Sequence, residues 1–157
     1  MPRHKYKRIK VKSDKVYNSI EVAKLINYLM IDGEKTVTEK IVYTTLEEIK
    51  KQGLDPLKTL HQAIDNTSPN FEVKPRRLGG ASYLVPIEVR SERKLFLALN
   101  WIIEAARSRS NKEFHSFSKK LLAEIIEASK NQGQGVAKKQ ATEKLAETNK
   151  AFSHLKW

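Results

Sequence analysis

The sequence predicts a mainly α protein: a six-helix bundle with one protruding two-stranded β-hairpin over about residues 71–90 and a basic N-terminal arm. Three observations predict it. Apolar residues recur at helical intervals on both sides of residues 71–90, the period drops to two only inside that window, and the first fifteen residues carry charge without an apolar period. A length of 157 residues suits a single core, and 39% hydrophobic against 31% charged residues supplies the material for it. The expected organisation is an arm over 1–15 and one helical domain over 16–157, closed by a basic helix and tail over 136–157.

Asn18 and Glu21 have capping-box spacing, and Val22, Ile26, Leu29 and Met30 follow at helical intervals, predicting a first helix over 19–31 that Asp32 and Gly33 end. Thr36 and Glu39 repeat the spacing, and Ile41, Val42, Leu46 and Ile49 give a second helix one apolar face up to Gly53. Asp55 before Pro56 reads as an N-cap with proline at the first helical position, and Leu57, Leu60 and Ile64 form the stripe of a shorter third helix. Phe71 and Val73 then alternate with Glu72 and Lys74, and Tyr83, Val85, Ile87 and Val89 with Leu84, Pro86, Glu88 and Arg90, giving strands on either side of Gly79 and Gly80. Pro75 and Pro86 lack a backbone donor, so the strands make a ribbon rather than part of a wide sheet. Such a ribbon needs support at its base or its tip. Residues 92–109 return to helix, and Leu95, Phe96, Leu99, Trp101, Ile102, Ile103 and Ala106 cover most of its circumference, as a central core helix would. Ser110 and Glu113 predict the cap of a fifth helix bearing Phe114, Phe117, Leu121, Leu122 and Ile125; residues 131–135 break it, and a polar, Lys-rich sixth helix covers 136–148.

Thirty Lys and Arg against eighteen Asp and Glu leave a formal net charge of +12, which favours a polyanionic partner. The charge is segregated. Residues 1–15 carry seven basic and one acidic side chain, 71–94 six and three, and 130–157 six and two, whereas 16–66 carry six and eight. No amphipathic basic helix or lipidation signal points to a membrane, and the longest apolar stretch, Leu95 to Ile103, is interrupted by Asn100. No secretory signal is visible, and the absence of cysteine excludes disulfides and thiolate metal sites.

Catalytic chemistry finds no constellation. His4, His61, His115 and His154 are scattered, with none at the helical spacing of a metal pair. Gly79-Gly80 lacks the Gly-Lys-Ser/Thr of a phosphate loop, and Gly133-Gln134-Gly135 lacks the third glycine of a dinucleotide fingerprint. Glu47 and Glu48 lie beside basic residues on a solvated helix face. Trp101 falls at a core position, where packing outweighs base stacking. The expectation is a non-enzyme with no cofactor, no metal and no small-molecule substrate.

What remains is binding. Lys74, Arg76 and Arg77 precede the hairpin turn and Tyr83 follows it, so guanidinium groups that fork onto phosphates stand near a ring that can stack on an unpaired base. Arg90, Arg93 and Lys94 carry the positive surface to the start of the fourth helix; Arg107 and Arg109 mark its end, where favourable interaction with the helix dipole is an equally good reading. The arm, with Arg3, His4, Lys5, Lys7, Arg8, Lys10 and Lys12 around Tyr6, repels itself too strongly to fold alone and should order on phosphates. A DNA-bending architectural protein with a basic β-ribbon is the rival reading; its intercalating proline belongs at the tip, whereas Pro75 and Pro86 lie along the strands.

The segment Glu72-Val73-Lys74-Pro75-Arg76-Arg77-Leu78-Gly79-Gly80-Ala81-Ser82-Tyr83-Leu84-Val85-Pro86-Ile87-Glu88-Val89-Arg90 strongly resembles the hairpin of the bacterial-type seventh protein of the small ribosomal subunit. Met30-Ile31-Asp32-Gly33, Trp101-Ile102-Ile103-Glu104-Ala105-Ala106-Arg107 and the ending Asn149-Lys150-Ala151-Phe152-Ser153-His154-Leu155-Lys156-Trp157 agree with that family too, so the resemblance covers essentially the whole chain. Glu34 departs from a common lysine, and Leu155-Lys156 from an aromatic and an arginine. The resemblance implies the six-helix bundle with protruding hairpin. It also implies direct, early binding to the 3′ major domain of small-subunit ribosomal RNA, nucleation of the subunit head, and contact with the ninth and eleventh small-subunit proteins. RNA-binding roles then map onto the arm, Lys35, the hairpin cations and the fourth-helix arginines. Proximity to exit-site transfer RNA and messenger RNA maps onto Arg77, Leu78, Gly79, Gly80, Ser82 and Tyr83 and onto Lys138, Lys139, Lys150 and Trp157, the C-terminal group being alternatively a contact with the eleventh protein. The expected location is the cytoplasmic ribosome, with an organellar stroma or matrix left open.

Overall fold

The computed structural model describes residues 11–155. Among them stand six α-helices, α1 (Ile20–Leu29), α2 (Lys35–Lys51), α3 (Pro56–Thr67), α4 (Ser91–Ser108), α5 (Phe117–Ser129) and α6 (Gln134–Thr148). Strands β1 (Phe71–Leu78) and β2 (Ala81–Glu88) lie between α3 and α4, and a 3₁₀ helix, Lys150–Leu155, follows α6.

The apolar stripes meet in one cluster that draws on every α-helix: Val22 and Leu25 from α1, Val42 and Leu46 from α2, Leu60 and Ile64 from α3, Leu99 and Ile102 from α4, Leu121 and Ile125 from α5, and Val136 from α6. Each such side chain contributes about 1.5–3 kcal/mol by leaving water. Trp101 is an exception to the expected pattern: it is only half-buried and stands outside the cluster. The small Ala98, Ala105 and Ala106 take buried positions on α4 and let neighbouring helices approach it closely.

Caps decide where the helices begin. Asp55 accepts hydrogen bonds from the N–H groups of Leu57 and Lys58, with Pro56 in the first turn, as the spacing predicts. The three predicted capping boxes do not form. Asn18 adopts a positive φ of 48° and Ser19 takes the N-cap of α1 without a side-chain bond. Glu34 occupies the N-cap of α2, placing Thr36 inside the helix. The fifth helix starts at Phe117 rather than after Ser110, because Ser110 Oγ accepts from Lys112 N–H at 3.2 Å in a local turn and Ser116 caps Lys119 N–H instead. Phe114 therefore lies on the connecting segment.

β1 and β2 pair antiparallel from Phe71↔Glu88 to Leu78↔Ala81, leaving Gly79 and Gly80 as the two-residue loop. Both glycines have positive φ, 55° and 90°, the geometry of a turn whose twist matches the strands. No third strand joins the pair among the described residues, in keeping with the prolines.

Candidate nucleic-acid interface

The N-terminal chain enters the body through a polar clamp. Asp14 is buried, and its carboxylate accepts from the Tyr43 hydroxyl at 2.7 Å and from the N–H groups of Val16 and Tyr17 at 3.0 and 2.9 Å. Burial alone would raise the Asp14 pKa; these donors outweigh it and hold the carboxyl below its ordinary value. Burial and the neighbouring carboxylate push Tyr43 up to about 12. Lys12 is exposed just ahead of this clamp, while Arg3, His4, Lys5, Lys7, Arg8 and Lys10 lie outside the described residues, as does Trp157.

At the hairpin base the structure gathers cations from two elements. Arg90 is the N-cap of α4 and is exposed. Arg93 reaches Glu72 at 3.3 Å and lies 5.1 Å over the Phe96 ring, and Lys94 donates to Asn70 Oδ1 at 2.7 Å. These cations outnumber Glu92, the acidic residue in the first turn, at the positive end of the α4 dipole, where acidic groups are the stabilising choice. Phosphate oxygens brought to this end would relieve that repulsion and meet the first-turn N–H groups as well.

Farther out the ribbon splits its charges. Strand alternation places Lys74 and Arg76 on one face and Arg77, with its partner Ser82, on the other. Arg77, Leu78, Gly79, Gly80 and Ser82 are exposed. Tyr83 is not the free stacking ring that the sequence suggests: it packs on Phe152 of the 3₁₀ helix, ring centroids 5.2 Å apart.

The remaining sites differ in how far the protein itself engages them. Lys35 is exposed at the start of α2, 3.8 Å from Glu39. Arg107, exposed in the last turn of α4, approaches the Leu29 carbonyl at 3.5 Å. Lys138 pairs with Glu104, Lys139 donates to the Asn66 carbonyl at 3.0 Å, and Lys150 is exposed at the start of the 3₁₀ helix. Arg109 is committed internally. Its guanidinium contacts Glu124 at 2.6 Å and Glu127 at 2.5 Å and stacks 5.6 Å from Phe114, with 14% of the side chain exposed. This geometry is an ion pair that holds the C-cap of α4 against α5.

That pair belongs to a polar cluster that the sequence reading missed. Glu124 is fully buried, and its second oxygen accepts the Gly135 N–H at 3.0 Å. Lys120, also buried, donates to the Arg109 carbonyl at 2.6 Å and to Asn111 at 2.5 Å. A Cβ at Gly133 would stand 2.9 Å from Glu124 Oε1, and the φ of 92° there disfavours other residues in any case. Gly133, the N-cap of α6, is thus required for close approach to a buried carboxylate. The signal was available: Lys120 and Glu124, four apart, fall on the same helical face as Leu121, Ile125 and Ala128.

No group of three metal-ligating side chains occurs among the described residues, and no helix there is long and apolar enough to cross a membrane.

Comparison with known proteins agrees with this geometry. Residues 1–150 match the family model described as ribosomal protein S7p/S5e. The chain is 52% identical over 145 residues to the small ribosomal subunit protein uS7 of Caldanaerobacter subterraneus subsp. tengcongensis, covering 92% of this chain and 91% of that one. It is 50% identical over 159 residues to the protein of the same name from Thermoanaerobacter sp. (strain X514), covering both chains completely. With that of Acidiphilium cryptum it shares 44% over 158 residues, 99% of this chain and 98% of the other. A helical body bearing one basic β-ribbon, matched to a single family along its length, places this chain in the ribosomal protein S7p/S5e family.

Proposed function

We propose that this chain, a structural constituent of the small ribosomal subunit and not an enzyme, binds the 3′ major domain of small-subunit ribosomal RNA directly and nucleates assembly of the subunit head. The observation that carries the reading is the group Arg90, Arg93 and Lys94 at the positive end of the α4 dipole beside the hairpin base. The body over 16–157 acts as one domain that holds this group, Lys35, Lys74, Arg76, Arg77 and Arg107 in fixed relation. The arm over 1–15 adds counterion release, with Arg3, His4, Lys5, Lys7, Arg8, Lys10 and Lys12 as its contacts. The exposed hairpin tip, Arg77 to Ser82, approaches exit-site transfer RNA and messenger RNA, and Lys138 and Lys139 of α6 with Lys150 of the 3₁₀ helix meet the same RNA or the eleventh small-subunit protein. The ninth protein is a further neighbour. The working place is the ribosome, which in bacteria is cytoplasmic.

The test is sedimentation of the tagged chain in a cell lysate, followed by binding of the pure protein to transcripts of the 3′ major domain. Comigration with small subunits through a high-salt wash, and tighter binding to that domain than to the other subunit domains, is expected. Equal affinity for duplex DNA and the ribosomal transcript at physiological salt would overturn it and favour a DNA-bending ribbon.

A further inference from the structure

We propose that the C-terminal segment 149–155 is a strut that fixes the direction of the hairpin, with Phe152 as its positioning residue. This rests on reading the hairpin as an RNA-contacting arm.

A two-stranded ribbon attached only at its base is a lever on a hinge, because a single attachment leaves its direction open. The base attachment is visible. Val89 N–H donates to the Asn70 carbonyl at 3.0 Å, and Asn70 N–H donates in turn to Glu143 of α6 at 2.9 Å. A second attachment lies farther out, where Tyr83, opposite Arg76 in the register, meets Phe152 with the two ring planes at 52°. Five residue steps separate the Phe71↔Glu88 pair from the Arg76↔Tyr83 pair, which is ~17 Å along the strand. Between the two attachments runs an open groove lined by Phe71, Pro86, Glu147, Lys150 and Ser153. Val85 and Pro86 of β2 are nevertheless buried between them, so α6 and the 3₁₀ helix both support the ribbon. Two supports spaced along a lever define a direction.

The strut is itself tied to α6. Asn149 Nδ2 donates to the Leu145 carbonyl at 2.8 Å, and Phe152 N–H donates to the Asn149 carbonyl at 3.0 Å. None of the six residues of the 3₁₀ helix is buried. Its hold on the ribbon runs through β2 and includes the Phe152–Tyr83 ring contact, and an element without buried residues opens locally without unfolding the body. Tyr83 acts here as the receiving surface for the strut, which explains why it faces the protein instead of a base.

The chain lacks cysteine, so a labelling pair can be introduced without background. Ala81→Cys at the outer end of the ribbon and Gln62→Cys on α3, both exposed, carry spin labels for distance measurement on the full-length free protein. The parent should give one narrow distribution. Phe152→Ala and Tyr83→Ala should each at least double its width while the thermal midpoint holds, and Phe152→Tyr should restore it. Hydroxyl-radical footprints on the 3′ major domain should lose the protections that depend on the hairpin and keep those that depend on the arm. An unchanged distribution in Phe152→Ala overturns the strut. So does broadening that appears only with a collapsed midpoint, since Phe152 would then act through the stability of the body. The distance measurement needs no RNA, so its failure leaves the RNA reading standing; a narrow distribution in a protein that ignores the transcript sinks the RNA reading alone.

Discussion

Replacing Glu124 by alanine tests whether the buried cluster, rather than RNA, explains Arg109. Glu124 Oε2 accepts from Arg109 Nε at 3.1 Å and Nη2 at 2.6 Å, and Oε1 accepts from Gly135 N–H at 3.0 Å. Truncation leaves that N–H without an acceptor, a loss of about 1–3 kcal/mol. It also breaks a buried ion pair, for which removal of one partner costs about 3–5 kcal/mol. Two features reduce the second figure: Glu127 stays in place at 2.5 Å from the guanidinium, and 14% of the Arg109 side chain reaches solvent. The expected net loss is about 3–5 kcal/mol, or a melting point lower by roughly 6–20 °C for a chain of this size. Urea unfolding followed by circular dichroism reads it, with the slope unchanged. Arg109→Ala should cost a similar amount, because it strands the Glu124 carboxylate in a dry site. The double variant should fall short of the sum of the two by more than ~1 kcal/mol. A loss below ~1 kcal/mol for Glu124→Ala, or strict additivity, would refute the idea that the pair holds α4, α5 and α6 together.

Neutralising Arg76 and Arg77 together should weaken binding to the ribosomal transcript by ~1–3 kcal/mol after allowance for salt and flexibility; an unchanged affinity and footprint would remove the hairpin from the interface. Deleting residues 1–12, which stops short of the Asp14 clamp, should lower both affinity and the salt slope while leaving the melting point nearly unchanged. A large fall in melting point would mean that those residues contribute to folding. His61 Nδ1 donates to Glu21 of α1, 2.9 Å away, and the ring stands 3.4 Å from Asp65, and the Glu21 contact first and then both carboxylate charges raise its pKa above the ordinary value. A raised pKa makes the link fully effective below about pH 6.5 and lost as pH climbs through the folded value. His61→Gln should therefore cost stability at pH 5.5 and nothing at pH 8, a small effect because the side chain is 62% exposed; a difference that does not vary with pH would contradict it.

The element order was legible because apolar periodicity depends only on which face is buried. The helical stripes of α1 to α5 and the alternation around Gly79 and Gly80 carried it without any knowledge of partners. Boundaries were less legible, since several residues can compete to cap one helix. Glu21 fits a capping box with Asn18 by spacing, yet its carboxylate bonds His61 on α3, a residue forty positions away. The same competition moved the start of α5, where Lys120 holds Arg109 and Asn111 in a turn. The cationic regions were legible from charge segregation; which face each cation takes was not, because Arg76 and Arg77 look alike until strand alternation separates them. Tyr83 shows the same limit, its partner Phe152 lying sixty-nine positions away in a 3₁₀ helix with no periodic signature.

The structure also sorts cations by what they do to the protein's own stability. Arg109 and Lys120 sit among carboxylate and carbonyl oxygens in a site that is largely dry, so removing either exposes an unpaired group and unfolding suffers. Arg90, Arg93 and Lys94 stand instead at the end of α4 where the helix field already disfavours positive charge, and Arg90 and Arg93 are exposed. The acids there, Glu92 in the first turn and Glu72 beside Arg93, do not balance the three cations. The residual positive charge suits a ligand that supplies further negative charge, and a phosphate backbone does so at each cationic site at once. Neutralising the exposed Arg90 should then leave the free protein equally or more stable while binding weakens, whereas neutralising Arg109 should do the reverse. That opposition in sign separates the two kinds of cation by experiment, where their residue types do not.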